Sequence, residues 1–346
     1  MTDPWNDTAF TVAMQHLAPG DKLSEVEFLK RLGTCQWDAI ARVLGRPTQE
    51  ITSEFHERLY ASWIDVELKF GAGHAPDRFG EGARIRVRNR VRVFAKRFVE
   101  GFFVIGEEDV PDAVLQATET RDDLRALDSP WCYMTNAFIA PVGGNTRLKV
   151  FKPAGIDALR LPETEQTPAG IEDHARVQAT GRIEDLGDGD AGLPVPVRDP
   201  TPIAYAIVPE SDVNGAGLVY FARYVAMMNY GERRFLSDRL ARPLSQPFAT
   251  CLSTEHRRIY YFANAAPTDS VELSVSASLL PPDRFPAPAS ASRIRTPMKI
   301  VFRIDMVRSS DKVLMASSLV RKAVNVPGDA KAVLLEADRF LADLAV

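Results

Sequence analysis

A polar turn followed by a long apolar run holds the residues of this chain best suited to chemistry. Asp212 and Asn214 have side chains that cap helix N-termini, and Gly217 lets another molecule approach the backbone closely. The run that follows is apolar almost all round, as in a buried helix, and contains Leu218, Val219, Phe221, Ala222, Val225, Ala226, Met227 and Met228. Free N–H groups at a helix N-terminus suit a carbonyl oxygen that gains negative charge. The turn is therefore a candidate site for chemistry at a carbonyl group.

This segment resembles the start of the central helix in the hot-dog thioesterase superfamily. The residues that match its D-x-D-x-x-G-h-v-Y-[FY]-x-x-Y pattern are Asp212, Asn214, Gly217, Tyr220, Phe221 and Tyr224. The resemblance implies an antiparallel sheet wrapped around a buried helix, and a thioester ligand. Many members have a catalytic aspartate where this chain has Asn214. Because an amide donates hydrogen bonds but is no carboxylate base at neutral pH, this departure weakens the prediction of hydrolysis.

The first half of the chain predicts a helix in two pieces followed by a sheet. Ser24 and Glu27 have the spacing of a capping box, so a helix starts there, and Gly33 interrupts it before a second helical run over residues 37–44. Strands are predicted at residues 58–70, 84–94, 98–105, 134–140 and 147–151. The strand at residues 84–94 alternates arginine with aliphatic residues, which is typical of a sheet with one wet face.

The second half repeats this plan, about 180 residues further along the chain. We predict a helix from about residue 217 to 240, then strands at residues 250–262, 271–280, 299–307 and 313–323, and a C-terminal helix at 331–344. A proline-rich stretch separates the halves. The predicted units are a first repeat at 1–155, a linker with a possible short helix at 156–201, and a second repeat at 202–346.

We therefore predict an α+β double hot-dog, in which two antiparallel sheets each wrap around a central helix and both are fused in one chain. Fusion would supply within one chain the edge pairing that single hot-dogs obtain by dimerising, and a homodimer of the whole chain stays possible.

The net charge of -4 gives no basic field for nucleic acid. No run is long and apolar enough for a membrane span, and no secretory signal is apparent, so we expect a cytoplasmic protein. Three widely spaced cysteines give no metal-binding pattern.

The whole chain further resembles the double hot-dog acyltransferase/decarboxylases of polyketide biosynthesis, of the leinamycin type. Three segments carry this resemblance, at residues 23–40, 58–66 and 212–224, and the second of them places Tyr60 in the first strand. The resemblance implies decarboxylation of methylmalonyl-CoA and transfer of the propionyl product to an acyl carrier protein. No cofactor is implied, neither biotin nor metal, and the CoA thioester is the substrate.

The candidate catalytic residues are Tyr60 and Asn214. Asn214 would hold the thioester oxygen together with the N–H groups of Gly217 and Leu218, and Tyr60 would accept the acyl group or donate a proton. The substrate-binding candidates are Asp212, Gly217, Leu218, Tyr220 and Phe221. Desolvation beside the last two would favour loss of a carboxylate as CO2. The sequence identifies no base that would activate Tyr60.

Other interpretations stay open at this stage. On the same fold the chain could be a thioesterase or a dehydratase, or a non-catalytic protein that binds acyl thioesters. Tyr60 could be a packing residue, and Asp212 and Asn214 simply helix caps. The arginines of residues 84–94 could be a solvated face or a surface for an acidic carrier protein. His74 could lie over a pocket, whereas His174 has no recognisable partners.

Overall fold

The computed structural model describes residues 5–70, 75–107, 111–142, 147–183, 186, 193–195, 202–239, 244, 246–280 and 293–327, and the single positions 335, 339 and 342. His74 lies outside the described residues, as does the predicted C-terminal helix apart from those three positions. The helices are α1 (Glu25–Leu44), α2 (Asp112–Ala117), α3 (Arg121–Arg125), α4 (Ala169–Thr180), α5 (Pro209–Asp212), α6 (Phe221–Arg239) and α7 (Gln246–Cys251).

The strands of the first half are β1 (Asn6–Thr11), β2 (Leu17–Ala18), β3 (Lys22–Leu23), β4 (Tyr60–Lys69), β5 (Arg84–Phe94), β6 (Phe98–Gly106), β7 (Trp131–Pro141) and β8 (Leu148–Val150). Those that follow α4 are β9 (Leu193–Pro194), β10 (Ile203–Ala206), β11 (Leu252–Tyr261), β12 (Ser270–Leu280), β13 (Arg293–Arg308) and β14 (Leu314–Pro327). The strands of residues 84–94 and 98–105 agree closely with prediction. The N-terminal strand β1 was not predicted.

Two hot-dog-like repeats share one continuous antiparallel sheet. Within the described residues its order is β1-β5-β6-β7-β4-β11-β14-β13-β12-β10, with β8 beside β7 and β9 beside β12. The first five strands surround α1 and the last five surround α6. The two halves join where β4 pairs with β11, in a register that places Glu67 opposite Arg258. The double hot-dog prediction is confirmed, with the two predicted sheets merged into one. The predicted domain limits at residues 155 and 201 stay predictions.

Helix α1 is continuous, so the predicted interruption at Gly33 is wrong. The Ser24 hydroxyl accepts a hydrogen bond from the Glu27 N–H at 3.4 Å, which confirms the predicted cap. Gly33 instead serves packing, because the Phe221 ring of α6 lies directly against it. The Phe221 ring in turn stacks on the Trp63 ring of β4, with centroids 3.8 Å apart and planes 15° apart. This glycine therefore lets the two central helices approach over the central strand.

The basic strand β5 has only part of the wet face that its alternation predicts. Its aliphatic residues are buried as expected, but Arg88 and Arg90 are each only 8% exposed. The Arg90 guanidinium lies 5.0 Å from the Trp5 ring, and it also forms an ion pair with Glu119 at 3.1 Å. Trp5, Asp112 and Glu119 contact this face, and β1 pairs with β5 in the plane of the sheet. Arg88 and Arg90 therefore build structure, whereas Arg84 is exposed and Arg86 and Arg92 are partly exposed.

The predicted short linker helix is α4, and it lies on the outer face of the central strands. Asp173 pairs with Arg121 of α3 at 2.6 Å and with Arg258 of β11. Gly170 packs so closely that an added Cβ would lie 2.2 Å from the Thr135 hydroxyl. Beneath it, burial raises the pKa of Asp65 to about 7, an effect that Arg258 and Arg121 partly offset. The docking of α4 thus depends on buried charge as well as on close contact.

Replacing Gly33 by alanine is expected to destabilise the protein, although alanine favours helices. The new Cβ would lie 2.8 Å from Phe221 Cε1 and 3.4 Å from Trp63 Cζ2. We expect a loss of about 1–3 kcal/mol in the free energy of unfolding, measured in urea. In a Phe221→Leu background the loss should shrink, because the clashing ring atoms are gone. A Gly33→Ala variant more stable than the parent would contradict this packing.

Candidate active site

A cavity of about 280 Å³ lies between the start of β4 and the loop that precedes α6. Residues from both halves of the chain and from α4 line this cavity. The described lining residues include five of the seven predicted site residues, namely Tyr60, Asn214, Leu218, Tyr220 and Phe221. The fold thus brings together residues that lie more than 150 positions apart in the sequence. Asp212 and Gly217 are not among the described lining residues.

The loop before α6 is organised around Asn214. Its side-chain oxygen accepts the N–H groups of Ala216 at 3.0 Å and of Leu218 at 3.2 Å, and its backbone oxygen accepts the N–H of Gly217 at 2.9 Å. The Gly217 and Leu218 N–H groups are therefore used inside the loop, so the oxyanion site predicted from them is wrong. The Asn214 amide nitrogen has no acceptor among the described residues, and this exposed side chain lines the cavity.

The buried Asp212 side chain holds this loop in place. Its buried carboxylate accepts hydrogen bonds from the Val208 N–H at 2.8 Å, from the Tyr205 hydroxyl at 3.1 Å and from Arg223 Nε at 2.9 Å. Its backbone oxygen accepts the N–H of Tyr220 at 2.8 Å. Asp212 thus positions the residues that face the cavity, while its predicted contact with substrate stays a prediction without support from this arrangement.

Helix α6 begins at Phe221, four residues later than the predicted start at Gly217. The N–H groups of Phe221 and Ala222 have no acceptor among the described residues, as expected for a first helical turn. Phe221 lines the cavity. The helix dipole adds positive partial charge at this end. The Phe221 N–H is therefore a candidate backbone donor to an oxygen atom of a ligand.

Asn264 fixes the approach to that helix and was not found by sequence reasoning. Its amide oxygen accepts the N–H of Val219 at 2.9 Å, and its amide nitrogen donates to the Val219 oxygen at 3.2 Å. Asn264 is 8% exposed and lines the cavity. No local motif marks this residue, because its partner lies 45 positions away along the chain.

The tyrosines of the cavity fall into two groups. Tyr224 donates to the Ala263 oxygen at 2.9 Å and Tyr261 to the Phe221 oxygen at 3.3 Å, so both hydroxyls serve structure. Burial raises the pKa of both, and it raises the pKa of Tyr220 to about 12. The Tyr60 hydroxyl, in contrast, has no hydrogen-bond partner among the described residues. The Arg58 guanidinium lies 5.1 Å from the centroid of the Tyr60 ring. The Tyr220 hydroxyl likewise has no partner among the described residues, so Tyr60 and Tyr220 are the phenols available to a ligand.

His174 is a functional candidate that the sequence did not single out. It lies on α4 and lines the cavity. Its Nε2 lies 2.9 Å from the backbone carbonyl oxygen of Tyr261. A carbonyl oxygen can only accept a hydrogen bond, so Nε2 carries the proton. Burial lowers the pKa of His174, so the ring is neutral at pH 7 and its Nδ1 has a free lone pair. His174 is therefore a candidate for the base that the sequence did not identify.

No Asp, Glu, Lys or Arg occurs among the described residues that line the cavity. Aromatic and aliphatic side chains form most of the wall, and the polar groups are those of Tyr60, His174 and the two asparagines together with Ser62 and other tyrosines. In the part of the chain that the structure describes, no cluster of His, Cys, Asp and Glu is arranged to hold a metal ion. Within the same residues no helix is both long and apolar enough to cross a membrane.

The burial of His174 predicts a pH dependence of stability. An unfolded histidine titrates near pH 6.5 and the native pKa is lower, so the unfolded chain binds more protons as the pH falls through this range. Stability from this group is complete above about pH 6.5 and is lost below it. The free energy of unfolding, measured by urea titration from about pH 7.5 to about pH 5, should fall with pH less steeply for His174→Gln than for the parent. The difference between the two slopes should be at most about 1.4 kcal/mol per pH unit.

The exposed His56 provides the control for this prediction, because His56→Gln should leave the pH profile unchanged. Other buried groups, such as His256 and Asp65, also titrate between the two states, but they are common to both variants and cancel in the comparison. Identical slopes for His174→Gln and the parent would show that His174 is not held neutral by burial.

The chain matches no protein-family model and no curated protein sequence. Among solved structures it is similar to an acyl-ACP thioesterase from Bacteroides thetaiotaomicron VPI-5482, with a TM-score of 0.52 and 10% identity over 92% of this chain and 98% of that chain. It is also similar to a protein described as an oleoyl thioesterase from Lactobacillus plantarum, with a TM-score of 0.55 and 11% identity over 93% and 97%. At this level of identity the similarity shows a shared fold, and that fold is the double hot-dog.

Proposed function

We propose that this protein is an acyl-thioester enzyme that decarboxylates an alkylmalonyl-CoA, such as methylmalonyl-CoA, and transfers the acyl product to an acyl carrier protein. One observation carries the proposal. The cavity combines an uncharged, largely aromatic wall with a phenol, a neutral imidazole and amide donors. These groups suit a reaction that loses a carboxylate and passes an acyl group between thiols. The resemblance to the leinamycin-type acyltransferase/decarboxylases supports the same assignment.

The decarboxylation step uses the uncharged wall and the donors at the start of α6. A substrate carboxylate among these aromatic side chains would have few partners, which favours its departure as neutral CO2. The carbon–carbon bond breaks, and its electron pair moves to the thioester oxygen. The Phe221 N–H and the Asn214 amide nitrogen would stabilise the charge that develops on that oxygen. A proton then adds to the α-carbon and completes the propionyl thioester.

The transfer step uses Tyr60 and His174. The Tyr60 oxygen attacks the thioester carbonyl while its proton passes to the free Nδ1 of His174. The bond from the carbonyl carbon to sulfur breaks, and CoA leaves as a thiol with that proton. The thiol of the carrier protein then attacks the tyrosyl ester, and the phenol regains a proton. The reaction written in this way needs no metal or organic cofactor, and its partners are an acyl-CoA and an acyl carrier protein.

Hydrolysis is the second candidate, because the two structurally similar proteins are described as thioesterases. Water would then attack the thioester carbonyl, with His174 as the base. A carboxylate base or nucleophile is not among the described lining residues, and Asn214 occupies the position where the related pattern has aspartate. We therefore rank transfer above hydrolysis, and above binding without turnover.

The intact mass of a holo carrier protein after incubation with methylmalonyl-CoA separates these functions. We expect a gain equal to a propionyl group that requires the protein. A methylmalonyl gain would mean transfer without decarboxylation. Free CoA without any gain would mean hydrolysis. Carrier and CoA both unchanged would contradict every catalytic assignment made above.

Two matched variants assign the roles of Tyr60 and Asn214. Tyr60→Phe should reduce carrier acylation by about 10²-fold or more, because the nucleophilic oxygen is lost, whereas Tyr230→Phe at a partly exposed tyrosine outside the cavity should not. Asn214→Asp keeps the acceptor that holds the loop but removes the amide donor, so the rate should fall by about 10²-fold with stability retained. Full activity in Asn214→Asp would leave that side chain only its structural role.

A further inference from the structure

Two stacked aromatic rings form the most enclosed wall of the cavity that Tyr60 lines. The Trp63 and Phe221 rings both line it, with centroids 3.8 Å apart and planes 15° apart. Trp63 is 7% exposed and Phe221 is 5% exposed. Val150 and Asn214 also line the cavity, but both are exposed. A ligand therefore enters on the side of the exposed residues, and the ring pair lies on the side that is closed to solvent.

Packing fixes both rings from behind. Trp63 Nε1 donates to Met134 Sδ at 3.3 Å within the core. The Phe221 ring has the Trp63 ring against one face, and the Tyr220 ring lies at 73° to it with centroids 4.9 Å apart. The far edge of the Phe221 ring lies against Gly33 of α1, where an added Cβ would be 2.8 Å from Cε1 and 3.0 Å from Cζ. The wall therefore has no room to move away from the cavity.

Gly33 allows the wall to stand where it does. This glycine is buried in α1 and is not among the described residues that line the cavity. A side chain here would occupy the space that the Phe221 ring now fills, and the ring would have to move toward Trp63 or into the cavity. The helix itself gains nothing from this residue, because alanine is the better helix former. A residue that does not face the cavity thus limits its size.

The candidate donor at the start of α6 directs an acyl group to this wall. A thioester oxygen that accepts from the Phe221 N–H brings its carbonyl carbon close to the Phe221 side chain, because both groups belong to one residue. The long arm of CoA or of a carrier protein has to leave on the exposed side, past Asn214 and Val150. The acyl carbons then point to the closed side, where the two rings stop them.

We propose that Trp63 and Phe221, backed by Gly33, form a size filter that admits only short acyl groups, such as propionyl, to this cavity. The filter acts on the acyl group of a thioester, so it rests on the function proposed above. It narrows the substrate class, because an α-substituent much larger than methyl would press against a wall that cannot retreat. Changes on the two sides of the wall should have opposite effects on the acyl length that binds.

Titration calorimetry of the full chain with acetyl-, propionyl-, butyryl- and hexanoyl-CoA tests the filter. All variants carry Tyr60→Phe, which removes the proposed nucleophile, and the chain with that change alone is the reference. The reference should bind propionyl-CoA at least about tenfold more tightly than hexanoyl-CoA. Phe221→Leu removes the ring atoms that reach Gly33, so this preference should disappear. Gly33→Ala should weaken propionyl-CoA relative to acetyl-CoA by about tenfold, because the displaced ring shortens the cavity.

Matched controls for both changes lie on α6. Phe235 is 7% exposed, and Gly231 is buried where an added Cβ would lie 3.0 Å from Leu273 Cδ1. Neither is among the described residues that line the cavity. Phe235→Leu and Gly231→Ala disturb the core elsewhere, so the order of affinities should stay that of the reference. The double variant Gly33→Ala/Phe221→Leu should behave like Phe221→Leu, because the added Cβ no longer meets a ring.

The inference fails if the reference binds hexanoyl-CoA as tightly as propionyl-CoA, or if no acyl-CoA of the series binds. It also fails if Phe221→Leu and Gly33→Ala both keep the order of affinities of the reference. Binding in this series needs neither decarboxylation nor transfer. Propionylation of the carrier by the parent, together with affinities independent of acyl length, would overturn the filter alone. The expected order of affinities without acylation of the carrier would overturn the proposed transfer alone.

Discussion

The antiparallel pairing of β4 with β11 is the constraint on which the rest of this structure depends. An unpaired strand edge exposes a row of N–H and C=O groups, and joining two edges within one chain removes that exposure. The pairing also places each central strand beside the helix entrance of the other half. The cavity of Tyr60 is a direct consequence, because neither half contains its complete wall. A change that shifted the register by one residue would turn Trp63 away from Phe221 and open this cavity.

Buried charge on the outer face of this strand pair is the second organising feature. Glu67 lies 3.0 Å from His256 and bonds Arg125 of α3, while Asp173 joins α4 to Arg258 of β11. Removing one partner of a buried pair costs about 3–5 kcal/mol, because the other charge is left without compensation. Helices α3 and α4 are thus held by interactions that tolerate little change. Since His174 is carried by α4, the geometry of the cavity of Tyr60 depends on this outer face.

Local pattern in the sequence determined most of the strands, the cap of α1 and the two-fold plan, whereas the double hot-dog fold was implied by the resemblance to known hot-dog proteins. Period-two alternation and capping depend on neighbours within a few residues, so Ser24 and the aliphatic face of β5 were predictable. The resemblance to known hot-dog proteins also singled out Tyr60, Asn214, Leu218, Tyr220 and Phe221, which line one cavity, while their roles stay predictions.

Only the tertiary structure decided the features that depend on contacts between residues far apart in the sequence. The helical Gly33 is explained by the Phe221 ring, Arg90 is buried because Trp5 and Glu119 reach it, and His174 enters the site because Asp173 docks α4. The Gly217 and Leu218 N–H groups are used inside the Asn214 loop, which a pattern of residue types does not reveal. The physical reason is the same in each case. Burial, hydrogen-bond partners and charge compensation are set by residues that the fold brings together from far apart in the chain.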